Sequence, residues 1–298
     1  MIIGNVERLV SVCIVNWNAR EILLRCLDSL QSNPPAIAWE CVVVDNASSD
    51  GSAEAVRASA PWVRLLTNPQ NVGLPAANNQ AMRATHGEYI LISNPDVLYA
   101  PGAIDALVEL LDRRPRAAFA VPRLLHPDGS LQTSAGSLPT LWEALRGRGA
   151  SQQGQRGTRG FWWDGWAHDE ELAVGHGAES CYMVRRSAAE AFGLQDESFR
   201  LDWEGIEWAA RAAHAGWDVW FCPGAEVVHL GGASIKQAQL RWILESHRGI
   251  YRYFGPRTHP VVRPLVAAAI AARAAAKLAG TVAGRPFYDR ANRGRVGA

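Results

Sequence analysis

The chain has 298 residues, 48% of them apolar, which is enough for a substantial core in one large domain or two small ones. Lys plus Arg (30) nearly equals Asp plus Glu (29), a balance that argues against a nucleic-acid binder. The five cysteines (Cys13, Cys26, Cys41, Cys181, Cys222) have no metal-ligand spacing; Cys13, Cys41 and Cys181 sit in apolar, strand-like runs and read as small buried apolar residues, which suits a reducing cytoplasm.

Leu9 to Val15 is a buried strand that ends at Asn16-Trp17-Asn18. Ile22, Leu23, Cys26, Leu27 and Leu30 follow at helical spacing, and Asn33-Pro34-Pro35 stops that helix. Cys41 to Val44 is a second strand, running into Asp45. The loop from Asn46 to Ser52 is rich in turn and cap residues and leads into a short helix from about Ala53 to Ala58. Val63 to Leu66 is a third strand, and residues 68–73 form a turn. Pro75 suits the first position of the next helix. That helix carries Asn78 and Asn79, poor helix formers that read either as a polar face toward a ligand or as a solvated face. Tyr89 to Ser93 is the fourth strand, which breaks at Asn94-Pro95-Asp96 because Pro has no N–H for the ladder.

Four strands alternating with helices predict a parallel, doubly wound sheet with right-handed crossovers. Asn16, Asp45 and Asp96 then lie along the carboxyl rim, where such sheets bind ligands. Each also has a plain reading as a turn or cap residue. No Gly-x-Gly-x-x-Gly follows the first strand, which weakens a dinucleotide-cofactor reading.

A helix follows Pro101-Gly102 to about Arg113, Ala117 to Val121 is strand-like, and residues 126–129 turn. Residues 146–160, dominated by Arg, Gly, Gln and Ser, read as a mobile loop. Phe161-Trp162-Trp163-Asp164-Gly165-Trp166 is either a satellite hydrophobic cluster or a set of aromatics that stack on a sugar or lipid acceptor. Ser180 to Val184 is a strand, and Ser187-Ala188-Ala189-Glu190 matches a capping box. After Asp202-Trp203-Glu204-Gly205-Ile206-Glu207 a helix runs to Ala215, with Gly216 as its stop and a Glu207–Arg211 pair on its surface. Trp217 to Cys222 and Ala225 to Leu230 read as a strand pair around Pro223-Gly224, with His229 at the end of the second. Leu240, Ile243, Leu244, Ile250 and Phe254 mark a long helix. The Ala-rich segment after Pro264 is a further helix, lying on the domain or at a membrane surface.

Beyond Leu240 the charges are mostly basic, with only Glu245 and Asp289 opposing them. This tail suits an anionic surface such as lipid headgroups, or is simply solvated. No secretory signal is visible, and the nearest approach to an apolar span, Val261 to Ala283, is interrupted by Arg263, Pro264, Arg273 and Lys277. The expected location is cytoplasmic, with peripheral attachment to the inner face of the membrane as an option.

Taken in order, Val12 to Asn18, the run from Val43 to Gly51, Asn71-Val72-Gly73 with Asn78, and Leu91-Ile92-Ser93-Asn94-Pro95-Asp96 resemble family 2 glycosyltransferases, closest to the rhamnosyltransferase-like branch. Met183 to Ala188, Ala215-Gly216-Trp217 and His229-Leu230-Gly231-Gly232-Ala233-Ser234 extend the resemblance over about residues 9 to 254. It implies a GT-A fold: α/β, doubly wound, with a mostly parallel sheet and C-terminal helices. Residues 1–125 would form the nucleotide-sugar-binding half and 126–235 the acceptor and catalytic half of the same domain. Residues 236–298 would be a helical extension with the basic tail.

The resemblance further implies a nucleotide-diphosphate-sugar donor, a divalent metal and an inverting mechanism. Asp45 would accept from N3–H of a uracil or thymine base. Asn16, Asn71, Gly73, Asn78 and Asn94 would complete the donor site. Asp96 would hold Mn²⁺ or Mg²⁺ on the diphosphate, with His229 approaching the same ion; an imidazole ligand tilts the choice toward Mn²⁺. The family carries Glu-Asp before the late helix, with the Asp as base, whereas this chain has Glu204-Gly205. Glu204 is then the first candidate base and Asp202 the second, with helix capping as the plain alternative. Glu179 stands where relatives tend to have Gly, a change that could reshape the acceptor side.

The expectation is a metal-dependent inverting hexosyltransferase of cell-wall polysaccharide biosynthesis. It would move a sugar, with rhamnose from dTDP-rhamnose as the named candidate, to a glycan or lipid-linked acceptor. The competing readings are a non-catalytic nucleotide-sugar or glycan-binding protein that kept the fold and lost the base and, more weakly, a nicotinamide-dependent dehydrogenase.

Overall fold

A computed structural model of the chain describes residues 8–146, 160–231 and 239–283. The mobile loop expected over 146–160 falls, apart from its two end residues, outside the described residues. So do the last residues of the Gly231-to-Ser234 motif and of the basic tail.

The first half builds the predicted alternation. Strand β1 (Leu9–Asn16) is followed by α1 (Arg20–Ser32), β2 (Ala38–Asp45), α2 (Ser52–Ser59), β3 (Arg64–Thr67), α3 (Leu74–Arg83) and β4 (Tyr89–Ser93). β1 pairs in parallel with β2 and β4, and β2 with β3. β1 and β4 are apolar on both faces because helices cover both sides of the sheet. Val10, Val12 and Ile14 of β1 enter one core with Leu23, Leu27 and Leu30 of α1. The alternate residues Cys13 and Val15 enter the other core with Ala77, Ala81 and Met82 of α3.

After β4 come β5 (Val97–Tyr99), α4 (Ala103–Arg113), β6 (Ala117–Leu125), β7 (Leu131–Gln132), β8 (Ala135–Gly136) and α5 (Leu141–Arg146). Then follow β9 (Leu172–Val174), β10 (His176–Gly177), β11 (Cys181–Arg185), α6 (Arg186–Phe192), α7 (Glu204–His214) and β12 (Asp218–His229). Helices α8 (Gln239–Phe254) and α9 (Arg263–Val282) close the described chain. The main sheet runs β3-β2-β1-β4-β11-β6-β12-β5, with β7 on β6 and β9 on β12; β8 and β10 form a separate pair. β11 is antiparallel to both β4 and β6, and β12 is parallel to β6, so the sheet is mixed but mostly parallel in direction, only β11 and β5 of the strands on this path running against the rest. β11 comes from the second half of the chain and sits between two strands of the first. The two halves therefore share one sheet.

Four local expectations need correcting. Trp217 to Leu230 is not a strand pair: β12 is one strand, parallel to β6 along its length, with a register shift between Cys222 and Glu226. Pro223-Gly224 makes an irregularity and not a reversal, because Pro supplies no ladder donor and the strand resumes beyond it in the same direction. Ser187 is not a cap: α6 begins at Arg186, directly after β11. Asn78 and Asn79 do not form a solvated face, being 3% and 1% exposed. Finally, the helix from Pro260 to Val282 is long and apolar enough to cross a membrane by length and composition, despite its charged residues. One stripe of it nonetheless lies on the domain. Val266 and Ile270 are buried, and Arg273 Nε donates to the Leu145 carbonyl at 2.6 Å.

Of the two readings of the aromatic run, the cluster describes the contacts. Trp163 is buried and packs edge-on to Trp166, and Phe161 stacks on Trp203.

Candidate active site

The register of the parallel strands assembles the first group. Asn16 lies opposite Asp45 where β1 and β2 end. Asn16 Nδ2 donates to Asp45 Oδ1 at 3.1 Å and to Ser48 Oγ at 3.1 Å, and the Ser48 N–H donates to Asp45 Oδ2 at 3.0 Å. Each Asp45 oxygen keeps a lone-pair direction for a further donor. Asn16 Oδ1 is buried without a hydrogen-bond partner, the kind of orphan a bound ligand satisfies.

Asn46, the next residue, has no individual role in the sequence reading. Its Oδ1 accepts from Asn68 Nδ2 (3.2 Å) and from Val72 N–H (3.0 Å); its Nδ2 donates to Asn71 Oδ1 and to the Gly73 carbonyl, both at 3.3 Å. Asn46 thus fixes the turn carrying Asn71 and Gly73 against the end of β2. Gly73 has φ +95°, and a Cβ there would meet the Arg200 carbonyl oxygen at 3.2 Å, so only glycine fits without strain. The Leu74 N–H donates to that same carbonyl, and Arg200 Nη2 donates to the Asn71 carbonyl. Asn78 Nδ2 donates to Gln195 Oε1, and Asn79 Nδ2 to the Gln195 carbonyl and Glu197 Oε1. Asn78 and Asn79 join α3 to residues 195–197.

The second group lies beyond β4 on the same rim. Asn94 is half-buried, and its N–H donates to the Ser180 carbonyl. Asp96 is 8% exposed, and its carbonyl accepts from Leu230 N–H. His229 ends β12 beside β5, which brings His229 Nε2 to 3.4 Å from Asp96 Oδ1. His229 Nδ1 lies 2.9 Å from Gln132 Oε1. With that amide orientation Nδ1–H donates to Gln132, and Nε2 is the ring nitrogen turned toward the carboxylate. Asp96 Oδ1 is buried and accepts no hydrogen bond.

An imidazole nitrogen and a buried carboxylate oxygen facing each other suit a cation, which the neutral ring can ligate. Two neighbouring ligands of an octahedral ion at about 2.1 Å stand roughly 3 Å apart. The pair therefore fits a divalent metal, with imidazole and carboxylate as its protein donors. Among the described residues no group of three or more His, Cys, Asp or Glu could hold an ion. A metal held here would need further ligands from outside these two side chains.

The third group is acidic. Glu204 opens α7 and is 1% exposed, with Oε2 buried and unpartnered. Burial first, and Asp202 second, push its carboxyl up to about 8. Glu179 arrives from the segment before β11, and its Oε1 accepts from the N–H groups of Gly205 (3.0 Å) and Ile206 (3.2 Å). It thereby caps α7 from another part of the chain. Burial, then Glu204 and Asp202, hold the Glu179 carboxyl well above the usual range.

Asp202 and Trp203 both have left-handed backbones, φ +70° and +77°. Trp203 is held by Phe161, Tyr253 and Phe254 at ring separations of 5.7, 5.7 and 5.8 Å. Gly249 leaves room for the corner: a Cβ there would lie 3.0 Å from the Asp202 carbonyl oxygen and from Trp203 Cβ. Across from the acids, burial pushes the Lys277 ammonium down to about 7; Arg273 pushes the same way and Asp202 opposes.

The structure thus groups Asn16, Asp45, Asn71 and Gly73, pairs Asp96 with His229, and clusters Asp202 and Glu204 with Glu179. Asn78 donates to Gln195 Oε1, while its own Oδ1 is buried without a hydrogen-bond partner. The sequence reading assigned no role to Asn46, Gln132, Gln195 or Arg200. Only Asn46, beside Asp45 at a strand end, carried a local signal.

Residues 11–173 match the model of the family described as Glycosyl transferase family 2. The N-acetylglucosaminyl-diphospho-decaprenol L-rhamnosyltransferase of Mycobacterium tuberculosis is 32% identical over 231 residues, covering 72% of this chain and 74% of that protein. The low-salt glycan biosynthesis hexosyltransferase Agl10 of Haloferax volcanii is 26% identical, covering 74% and 66%. Among solved structures, a mannosyltransferase of Pyrobaculum calidifontis in complex with GDP-Man and Mn²⁺ superposes with a TM-score of 0.58 at 19% identity, covering 95% of this chain and 77% of that one. GalNAc-T7 with UDP, GalNAc and Mn²⁺ gives 0.55 at 17% identity, covering 76% and 44%. At these identities the likeness establishes the fold, which is GT-A.

Proposed function

This chain belongs to glycosyltransferase family 2, and on that premise we propose that it moves rhamnose from dTDP-rhamnose, with inversion, to a hydroxyl of a lipid-linked glycan. The support for donor and acceptor is the mycobacterial rhamnosyltransferase, whose name specifies a diphospho-decaprenol acceptor. One observation carries the chemistry: the unsatisfied Asp96 Oδ1 facing His229 Nε2, on the rim that also carries Asn16 and Asp45.

In this reading Asp45 accepts from the N3–H of the base, and the Asn71–Gly73 turn closes over the nucleoside. Asn94 adjoins the diphosphate. Asp96 and His229 hold Mn²⁺ or Mg²⁺. When bound, such an ion supplies Lewis-acid stabilisation of the charge that develops on the departing diphosphate. Gln132 keeps His229 in the tautomer that offers Nε2. The acceptor hydroxyl gives its proton to one of the carboxylates clustered at the start of α7, Glu179, Asp202 or Glu204, as its oxygen attacks the sugar carbon opposite the leaving group.

The non-catalytic reading rested on the acid missing at Gly205. It is not favoured, because three carboxylates still converge there. Val261, just ahead of helix α9, and Leu265 in its first turn are exposed to solvent, at 76% and 71%. In this reading these two side chains rest on the bilayer carrying the acceptor, as a peripheral contact.

A thermal-shift screen of nucleotide sugars with and without Mn²⁺ tests the donor. A ligand that binds only the folded state raises the melting temperature. The expected best hit is dTDP-rhamnose with Mn²⁺. A larger shift with a purine-based donor, or shifts indifferent to the ion, would overturn the assignment.

A further inference from the structure

The three acids are not equally placed to meet a substrate. Glu204, the residue nearest the expected base position, is 1% exposed. Its unpartnered Oε2 is buried as well. Glu179 is half-buried, enters from a separate segment and reaches the first N–H groups of α7. Gly205 records the cost of that reach. A Cβ on residue 205 would stand 2.7 Å from Glu179 Cγ, 3.1 Å from its Oε1 and 3.2 Å from its Cδ. The Glu179 side chain fills the volume that any side chain at 205 would need. The two oddities of the sequence here, an acid at 179 and a missing acid at 205, are therefore one arrangement. A carboxylate reaches the same place from a different point on the chain.

We propose that Glu179 is the catalytic carboxylate that meets the acceptor hydroxyl, held in place by the Gly205 and Ile206 N–H groups and backed by Glu204. The proposal rests on the transferase reading and names which acid in the cluster touches the substrate. In the step, the acceptor O–H proton moves to the Glu179 carboxylate. The acceptor oxygen forms its bond to the anomeric carbon, and the bond from that carbon to the diphosphate oxygen breaks with its electron pair going to the diphosphate. After the product leaves, Glu179 returns the proton to water. Oriented N–H donors at a helix start favour the ionised, proton-accepting form of this group, against burial first and the neighbouring Glu204 and Asp202 second.

Glu179 also caps a helix, so the test separates the two roles. Glu179→Gln keeps an oxygen for the two N–H donors and removes the base. The expected result is a melting temperature within about 2 °C of wild type and an unchanged Mn²⁺-dependent dTDP-rhamnose shift. The kcat for transfer to a short-chain polyprenyl diphospho-N-acetylglucosamine should fall at least about 100-fold. A purely structural Glu179 would leave kcat within about threefold, and that result overturns the proposal.

The second test moves the carboxylate. Glu179→Gly should lose transfer, and Gly205→Asp alone should fail by collision with Glu179. The double variant Glu179→Gly/Gly205→Asp should regain at least about tenfold over Glu179→Gly. No recovery in a double variant that still binds donor counts against Glu179. If wild type itself transfers no sugar from any donor in the screen, the transferase reading falls and the proposal with it. A wild type that transfers beside a fully active Glu179→Gln overturns the proposal alone.

Discussion

Replacing Glu204 by Gln perturbs one buried proton and little else. The wild-type carboxyl shifts from an ordinary 4.5 to about 8, by burial and by Asp202. Between those values the unfolded chain has released the proton and the folded chain has kept it. The folded state then binds more protons, so stability falls as pH rises through the window. The stability is fully present below 4.5 and lost once pH passes about 8. Such a shift corresponds to roughly 2–5 kcal/mol across the window, or about 5–15 °C in Tm for a domain of this size. Glu204 Oε2 already lacks a partner, so the Gln amide inherits an unsatisfied position at every pH and adds no slope. Differential scanning fluorimetry from pH 5 to pH 9 reads the effect directly. At pH 5 the variant should melt close to wild type, and by pH 9 it should melt well above it. Curves that stay parallel across the range would refute the reasoning, because Glu204 would then titrate alike in both states.

Other expectations follow from the same geometry. Asp96→Asn should abolish the Mn²⁺-dependent donor shift and lower turnover at least about 100-fold; retained Mn²⁺ dependence would mean that Asp96 and His229 form only an ion pair. Gln132→Leu frees His229 to change tautomer and should weaken Mn²⁺ binding about 10–100-fold by titration calorimetry, while unaltered affinity would remove Gln132 from the site. Asn46→Ala strips four hydrogen bonds from the donor turn; a loss of about 2–3 kcal/mol in urea unfolding is expected, and a loss under 0.5 kcal/mol would show that the turn holds itself. Val261→Glu with Leu265→Glu should leave Tm unchanged and reduce co-sedimentation with anionic vesicles. Equal sedimentation would count against a membrane contact.

The parts of the fold that were legible are those whose signal is local and long. β1, β2 and β4 are buried on both faces, so an apolar run marked them, and the polar residue after each run marked the rim. β12 was misread because Pro223-Gly224 has the chemistry of a reversal. Only the pairing of both flanks with β6 shows that the strand continues. Strands of two or three residues, such as β7, β8 and β10, are too short to show a period. Asn78 and Asn79 look like surface residues because their partners at 195 and 197 are over a hundred positions away. Glu179 and Gly205 were each visible as departures from the family pattern. That they fill one volume is a three-dimensional fact, and no spacing announces it.

The left-handed corner at Asp202 and Trp203 has a consequence for how this protein could change. Two consecutive non-glycine residues in that conformation cost about 1–2 kcal/mol each and persist only while their surroundings enforce them. Enforcement comes from Phe161, Tyr253 and Phe254 around the indole and from the bare backbone of Gly249 below it. A laboratory selection for new acceptors would therefore find productive substitutions among these four wedges, which tilt the acids without touching them.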